Sequence, residues 1–161
     1  MSTESPTTFE HDLVVHIQHV NPRTEMHGED EVLAVDVKVR LMMGEVGTEW
    51  DAVLASLIGS ASIDIADLTP IFKSLPFAAD FENHKANFRI STKVIATLVH
   101  AKINKFVLEC EDIGITFRIQ AEADGRRVGA LSELIGQKAR LEIVPMQGEL
   151  DLARQEETAE A

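Results

Sequence analysis

The clearest pattern in the chain is the alternation of apolar and polar side chains within residues 33–41. Successive side chains of a β-strand point to opposite faces of the sheet, so a period of two places one set in the core and the other in solvent. The segment therefore predicts a half-buried strand. Its inward side chains are Leu33, Val35, Val37, Val39 and Leu41, and its polar residues are Asp36, Lys38 and Arg40.

Similar patterns predict further strands along the chain. A first strand is expected over residues 11–20, with Asn21-Pro22 as its break and a polar loop over residues 23–30. Residues 81–89 fit either a strand or a loop. The later strands are expected over residues 94–99, 101–110, 113–121 and 139–144. A turn at Glu111-Asp112 would join two of these into a hairpin.

Three segments of the sequence have the pattern of an α-helix. Residues 48–59 place Trp50, Val53, Leu54 and Leu57 on one stripe, with Thr48 as N-cap and Gly59 as the end. A short second helix is expected from residue 65 or 66 to residue 74. A third helix precedes Gly136, and its apolar positions are Val128, Leu131, Leu134 and Ile135.

These elements predict an α+β fold, mainly an antiparallel sheet with two or three helices packed on it. At 161 residues the chain is long enough for one domain. We expect a disordered arm over residues 1–9, a single domain over residues 10–146 and a flexible acidic tail over residues 147–161.

The charge balance narrows the classes of partner. The chain has 27 acidic and 15 basic residues, for a formal net charge of -12. General binding to nucleic acid is disfavoured, because such proteins usually have a basic footprint. The acidity either keeps the protein soluble or imitates nucleic acid. A single cysteine, Cys110, and the lack of a leader or membrane span favour a reducing cytoplasm.

The tail contains the peptide Gln147-Gly148-Glu149-Leu150-Asp151-Leu152. Gln147 offers an amide for paired hydrogen bonds, while Leu150 and Leu152 are apolar anchors for a pocket. The peptide resembles the hexapeptide with which many bacterial polymerases and repair proteins bind the sliding clamp, although Gly148 replaces the usual apolar residue. The alternative is that both leucines pack back on the domain or begin a short helix.

Two strand segments, residues 101–120 and residues 27–39, resemble a family of small uncharacterised proteins from tailed bacteriophages and prophages. The likeness covers about residues 27–145 and lies in strand patterns. Members of that family look like products of the early phage region, where replication and recombination genes cluster. The resemblance implies an origin and a host bacterial cytoplasm, and it carries no catalytic residue to this chain.

Catalytic and metal motifs are not found in the sequence. There is no nucleophile elbow, and the glycines around Gly44 and Gly47 have no lysine for a phosphate loop. On a regular strand His16 and His19 point to opposite faces, and His11 is too far from His19 to share an ion. We therefore predict no catalytic residue, metal or cofactor, and we interpret the chain as a non-enzymatic protein.

Seven basic residues are candidates for a weak nucleic-acid surface: Lys38, Arg40, Lys102, Lys105, Arg118, Arg126 and Arg127. Tyrosine is absent, and the phenylalanines fall mainly at core-like positions, which removes most stacking partners for bases. Three hypotheses follow. The first is an accessory protein that binds a protein of DNA metabolism, with the sliding clamp as candidate. The others are an acidic anti-defence inhibitor and a protein that handles single-stranded DNA.

Overall fold

The computed structural model describes residues 8–47, 49–58 and 73–146. In these ranges the chain forms seven strands and three helices. The strands are β1 (His11–His27), β2 (Asp30–Met42), β3 (Ser74–Pro76), β4 (Phe81–Ile90), β5 (Lys93–Glu109), β6 (Gly114–Glu122) and β7 (Lys138–Pro145). The helices are α1 (Met43–Val46), α2 (Glu49–Ile58) and α3 (Gly125–Ser132).

Every strand pairing is antiparallel, and the sheet closes on itself. The order β3-β5-β4-β7-β1-β2-β6 is joined into a ring by an additional β5–β6 pairing, with β3 attached to the far end of β5. Closure satisfies the backbone groups that an open sheet would leave at its edges. The predicted antiparallel sheet with helices is therefore confirmed, and its closure into a barrel is a feature that strand patterns alone do not contain.

The interior of the barrel is filled by aromatic rings. Phe9, Phe81, Phe106 and Phe117 are all at most 2% exposed. The ring centroid of Phe106 lies 5.2 Å from that of Phe117 and 5.3 Å from that of Phe9. Phe9 was expected to lie at the end of a disordered arm, but it is fully buried, so the ordered domain includes it.

The apolar stripe of α2 is buried as predicted, whereas the third helix ends at Ser132 and the predicted apolar position Ile135 is 46% exposed. Trp50, Val53 and Leu54 of α2 join the barrel core, and Leu57 is half-buried against it. Leu131 of α3 is fully buried, and the side chain of Asp124 caps this helix by accepting the backbone N–H of Arg127 at 2.8 Å. The expected caps Thr48 and Gly59 lie outside the described residues.

The first strand is longer than its sequence indicates. β1 continues through Asn21-Pro22 to His27, so the predicted break and most of the loop over residues 23–30 are wrong. Only residues 11–16 of β1 pair with β7, which leaves the later half paired to β2 on one side. A proline tolerates such an edge because its missing N–H faces away from the ladder. The turn itself is at Gly28, whose φ is 68°.

The two strands expected over residues 94–99 and 101–110 are one strand, β5. His100 and Lys105 have φ values of 51° and 58°, and the pairing register shifts near both residues. Such bulges bend a strand without ending it. The predicted hairpin of β5 and β6 is confirmed, and residues 81–90 form a strand.

The second predicted helix falls mostly outside the described residues. Its last residue, Ser74, belongs instead to β3, which pairs with β5. The closing strand is confirmed and ends at Pro145 as expected.

Two glycines give a matched prediction for stability. A Cβ on Gly114 would lie 2.7 Å from the backbone oxygen of Leu41, whereas a Cβ on Gly129 would meet nothing within 4 Å. We expect Gly114→Ala to lower the free energy of unfolding by about 1–3 kcal/mol, because the two strands must separate. Gly129→Ala should raise it by about 0.5–1 kcal/mol, since alanine favours the helix. Urea denaturation measures both, and equal effects would contradict this packing.

Candidate functional site

The peptide residues Gln147, Leu150 and Leu152 lie outside the described residues, so their role stays a prediction. The residue before the peptide, Met146, is held by hydrogen bonds to Asn83. The N–H of Met146 donates to the Asn83 oxygen at 2.8 Å, and the Asn83 side-chain amide donates to the Met146 oxygen at 2.6 Å. The backbone N–H of His100 lies 3.3 Å from the Met146 sulfur. Met146 is therefore held at a defined point on the domain.

A groove of about 1000 Å³ opens beside this point, and His100 is one of its lining residues. It lies where β5 separates from the end of β6, since the pairing of these strands begins only at Lys102 and Gln120. The hairpin of β1 and β2 forms the opposite wall. Leu33 and Val99 are exposed in the groove, at 38% and 45%. The groove thus combines an apolar surface with polar walls.

A histidine joins the hairpin to the end of β6. One ring nitrogen of His27 lies 3.1 Å from a Glu25 carboxylate oxygen, and the other lies 3.0 Å from a Glu122 oxygen. Hydrogen bonds from His27 and then from Arg23 lower the pKa of Glu25. His27 therefore lies within hydrogen-bonding distance of two carboxylates, one on its own strand and one at the end of β6.

The structure separates the seven basic candidates into groups. Lys38 and Arg118 are directly opposite each other on β2 and β6, and both face outward. Arg40, on the next outward position of β2, donates to the Asp112 oxygen at 2.7 Å and pairs with Glu109 at 3.6 Å.

The other four candidates lie elsewhere. Lys102 pairs with Asp80 and Glu82 at 3.4 and 3.8 Å. Lys105 is exposed at a bulge of β5, and Arg126 is exposed on α3. Arg127 pairs with its own helix cap at 3.0 Å. The seven residues therefore do not form one surface, and only Lys38 and Arg118 face each other without a carboxylate partner among the described residues.

Among the residues that the structure describes, the aromatic side chains serve the core rather than an outer face. Five of the six phenylalanines in the described ranges are fully buried, and Phe77 is half-buried against the core. Trp50 is only 5% exposed. The prediction that aromatics serve the core is confirmed for these residues.

The histidine geometry differs from the prediction. Gln18 is an extra residue at a bulge, because His16 pairs with Arg40 and Ile17 with Val39, while His19 pairs with Lys38. His16 and His19 therefore lie on the same outward face, and our expectation of opposite faces is wrong. His16 binds Glu45 at 3.0 Å and thereby lowers the pKa of that carboxyl. Among the residues with assigned positions, no group of three potential ligands could hold a metal ion.

Two buried histidines are held by hydrogen bonds inside the domain. The backbone N–H of Phe9 donates to Nε2 of His84 at 2.9 Å, so Nδ1 carries the proton and donates to the Glu82 oxygen at 2.8 Å. Burial lowers the pKa of His84. Nε2 of His11 lies 2.8 Å from the Ser56 hydroxyl of α2, and burial also lowers the pKa of His11, against the opposing effect of Glu49.

These pKa shifts predict a loss of stability in mild acid. Both folded-state pKa values lie below the ordinary value, so the unfolded chain binds protons first. The stabilisation is complete above about pH 6.5 and falls by at most about 1.4 kcal/mol per pH unit for each histidine as the pH drops further. Urea denaturation between pH 7.5 and 5.5 measures the slope.

A matched pair of variants assigns that slope. His84→Gln and His11→Gln should each remove part of the pH dependence, and the double variant should remove both parts. A stability that does not vary with pH in this window would show that the two imidazoles accept protons equally well in the folded and unfolded chain.

Comparisons with known proteins do not place the chain in a family. No protein-family model matches it, and no curated protein or solved structure is significantly similar to it. None of the helices in residues 8–47, 49–58 and 73–146 has the length and apolar character needed to cross a membrane. The case for a function therefore rests on the chain's own residues.

Proposed function

We propose that this chain is a non-enzymatic phage accessory protein that binds a protein of host or phage DNA metabolism. Gln147, Leu150 and Leu152 are the anchors, and the bacterial sliding clamp is the candidate partner. The observation that carries the proposal is the fixed position of Met146, one residue before the peptide. The hydrogen bonds of Met146 thus define the point on the domain from which a partner of the peptide would be reached.

The chemistry of the peptide suits a pocket with one polar and two apolar subsites. A glutamine amide can donate and accept hydrogen bonds at once. Each leucine that leaves water for an apolar pocket contributes about 1.5–3 kcal/mol. Two such anchors are enough for a specific, reversible contact once the ordering of the peptide has been offset.

The groove beside Met146 supports the same proposal. A partner that takes the peptide also lies next to the exposed side chains of Leu33 and Val99. Exposed apolar side chains inside a large concavity are typical of binding surfaces. The peptide and the groove would then form one continuous contact.

A second candidate is an acidic inhibitor of a host nucleic-acid enzyme. The observation that favours it is the set of carboxylates on the wall of the groove, which includes Glu31, Glu122 and Asp124. In this case inhibition would depend on those side chains rather than on the tail. Plaque counts on defence-bearing hosts test it, and equal counts with and without the gene would count against inhibition.

Pull-down from bacterial lysate tests the first candidate. The full chain is compared with a chain that ends at Met146 and with a control in which Glu156, Glu157 and Glu160 are changed to glutamine. The control removes tail charge and keeps the peptide intact. We expect the full chain and the control to retain the same partner and the shortened chain to lose it. Retention by all three proteins would reject the peptide as the docking element.

A further inference from the structure

Outward-facing polar side chains form a row across four strands of the barrel. His19 of β1 is opposite Lys38 of β2, Lys38 is opposite Arg118 of β6, and Arg118 is opposite Asn104 of β5. Neighbouring strands are about 4.8 Å apart, so the row spans roughly 14 Å. We call these four residues the polar row.

At the centre of the polar row, the like charges of Lys38 and Arg118 face each other, which destabilises the isolated protein. Directly opposite side chains of an antiparallel pair have Cβ atoms about 5 Å apart, and like charges at such positions are destabilising. Neither Lys38 nor Arg118 has a carboxylate within 4.0 Å among the described residues. Most of the other described arginines are paired with a carboxylate, namely Arg23, Arg40, Arg89, Arg127 and Arg140.

The one carboxylate in the same depression is already engaged. Asp36 accepts a hydrogen bond from the Arg23 guanidinium at 2.7 Å and another from the Gln120 amide at 3.1 Å. Gln120 in turn accepts from the Asn104 amide at 3.0 Å. This network engages Asp36 without using Lys38 or Arg118, although the Arg23 guanidinium is shared with Glu25. The positive charges of Lys38 and Arg118 therefore face the depression without a hydrogen bond to its carboxylate.

The depression has the size of a small ligand site. It measures about 310 Å³ and is lined by His19, Val20, Asn21, Asp36, Lys38 and Arg118. A guanidinium, an ammonium and an imidazole together match the several oxygen acceptors of a phosphate group. The described aromatic side chains are in the core, so this face offers charge and hydrogen bonds but no stacking surface for bases.

From this geometry we infer that Lys38 and Arg118, with His19 beside them, form a binding site for a phosphate group. The phosphate belongs either to a small phosphate ester or to the backbone of a single-stranded nucleic acid, because both present the same oxygens. The site goes beyond the proposed docking function and does not depend on the tail, so either one can fail without the other.

Two probes distinguish the sources. Inorganic phosphate is titrated while NMR follows the Arg118 side-chain N–H and the Lys38 amide. A fluorescent single-stranded oligonucleotide of about 20 nucleotides is titrated by anisotropy across a salt series. Shifts with phosphate but no binding of the oligonucleotide assign a small ester, and binding of both probes assigns a polynucleotide backbone.

A double variant and a matched control test the residues. We expect Lys38→Gln with Arg118→Gln to weaken oligonucleotide or phosphate binding at least about tenfold at low salt. For the oligonucleotide it should also reduce the slope of log K against log salt by about 1–2. The control is Lys85→Gln with Lys93→Gln on β4 and β5, which removes the same charge from another face and should change affinity less than about threefold.

The unfolding midpoint of the double variant separates binding from folding. It should be no lower than that of the wild type, because the variant removes a repulsion between opposite strands. No binding of either probe at low salt, or equal binding by the wild type and the double variant, would overturn the site.

Discussion

Replacing Phe106 with alanine is expected to lower the free energy of unfolding by about 3–5 kcal/mol. Phe106 is fully buried at the centre of the barrel, where its ring lies 5.2 Å from that of Phe117 and 5.8 Å from that of Phe81. These neighbours come from β4 and β6, so the ring joins three strands. Removing it leaves a cavity that the closed sheet cannot collapse to fill.

Chemical denaturation measures this change, and Val94→Ala is the matched control. Val94 lies on the same strand but is 46% exposed, so its truncation should change stability by less than about 0.5 kcal/mol. If the two variants were equally stable, Phe106 could not be part of a packed core.

The second large effect concerns the anchors of the tail peptide. We expect Leu150→Ala and Leu152→Ala each to weaken binding to the purified sliding clamp by about 10- to 100-fold, because each removes a leucine from an apolar pocket. Calorimetric titration of the purified proteins gives the affinities. Neither substitution should alter the unfolding midpoint.

The residues between the anchors supply the control for that experiment. Glu149→Ala and Asp151→Ala change the charge of the peptide but keep both leucines, so each should alter affinity less than about threefold. If the acidic substitutions weakened binding more than the leucine substitutions, the contact would depend on charge and not on apolar anchors.

The sequence predicted those elements whose signal is local. The alternation over residues 33–41 identified β2, and residues 35, 37, 39 and 41 are fully buried as expected. Leu33, the first of the expected inward positions, is instead 38% exposed and lines the groove. The stripe of Trp50, Val53 and Leu54 identified α2 in the same way. A side-chain period depends only on the residues of one segment, so it can be recognised without knowing which strands become neighbours.

The features that the sequence did not predict depend on distant pairing. Pro22 signals a break in isolation, but it is acceptable in β1 because β7 has already separated from that edge. His100 has a positive φ that bends β5 without ending it. Closure of the barrel requires β5 to pair with both β4 and β6, and no single segment carries that information.

The candidate sites also combine residues that the sequence identifies locally with an arrangement that depends on strand pairing. Composition and alternation nominated seven basic residues, but strand register selected Lys38 and Arg118 as the facing pair. His19 joins them because the bulge at Gln18 turns it to the outer face, which a regular strand would not do. The alternation of Asp36, Lys38 and Arg40 was the available signal, and its partner on β6 could be identified only from the register.

Displacement by a synthetic peptide tests the proposed docking function most directly. A peptide of residues 145–154 is added in excess to the complex of the full chain with its retained partner, alongside a peptide with alanine at positions 147, 150 and 152. We predict that the native peptide releases the partner and that the substituted peptide does not. A complex that survives an excess of the native peptide would contradict the claim that Gln147, Leu150 and Leu152 hold the partner.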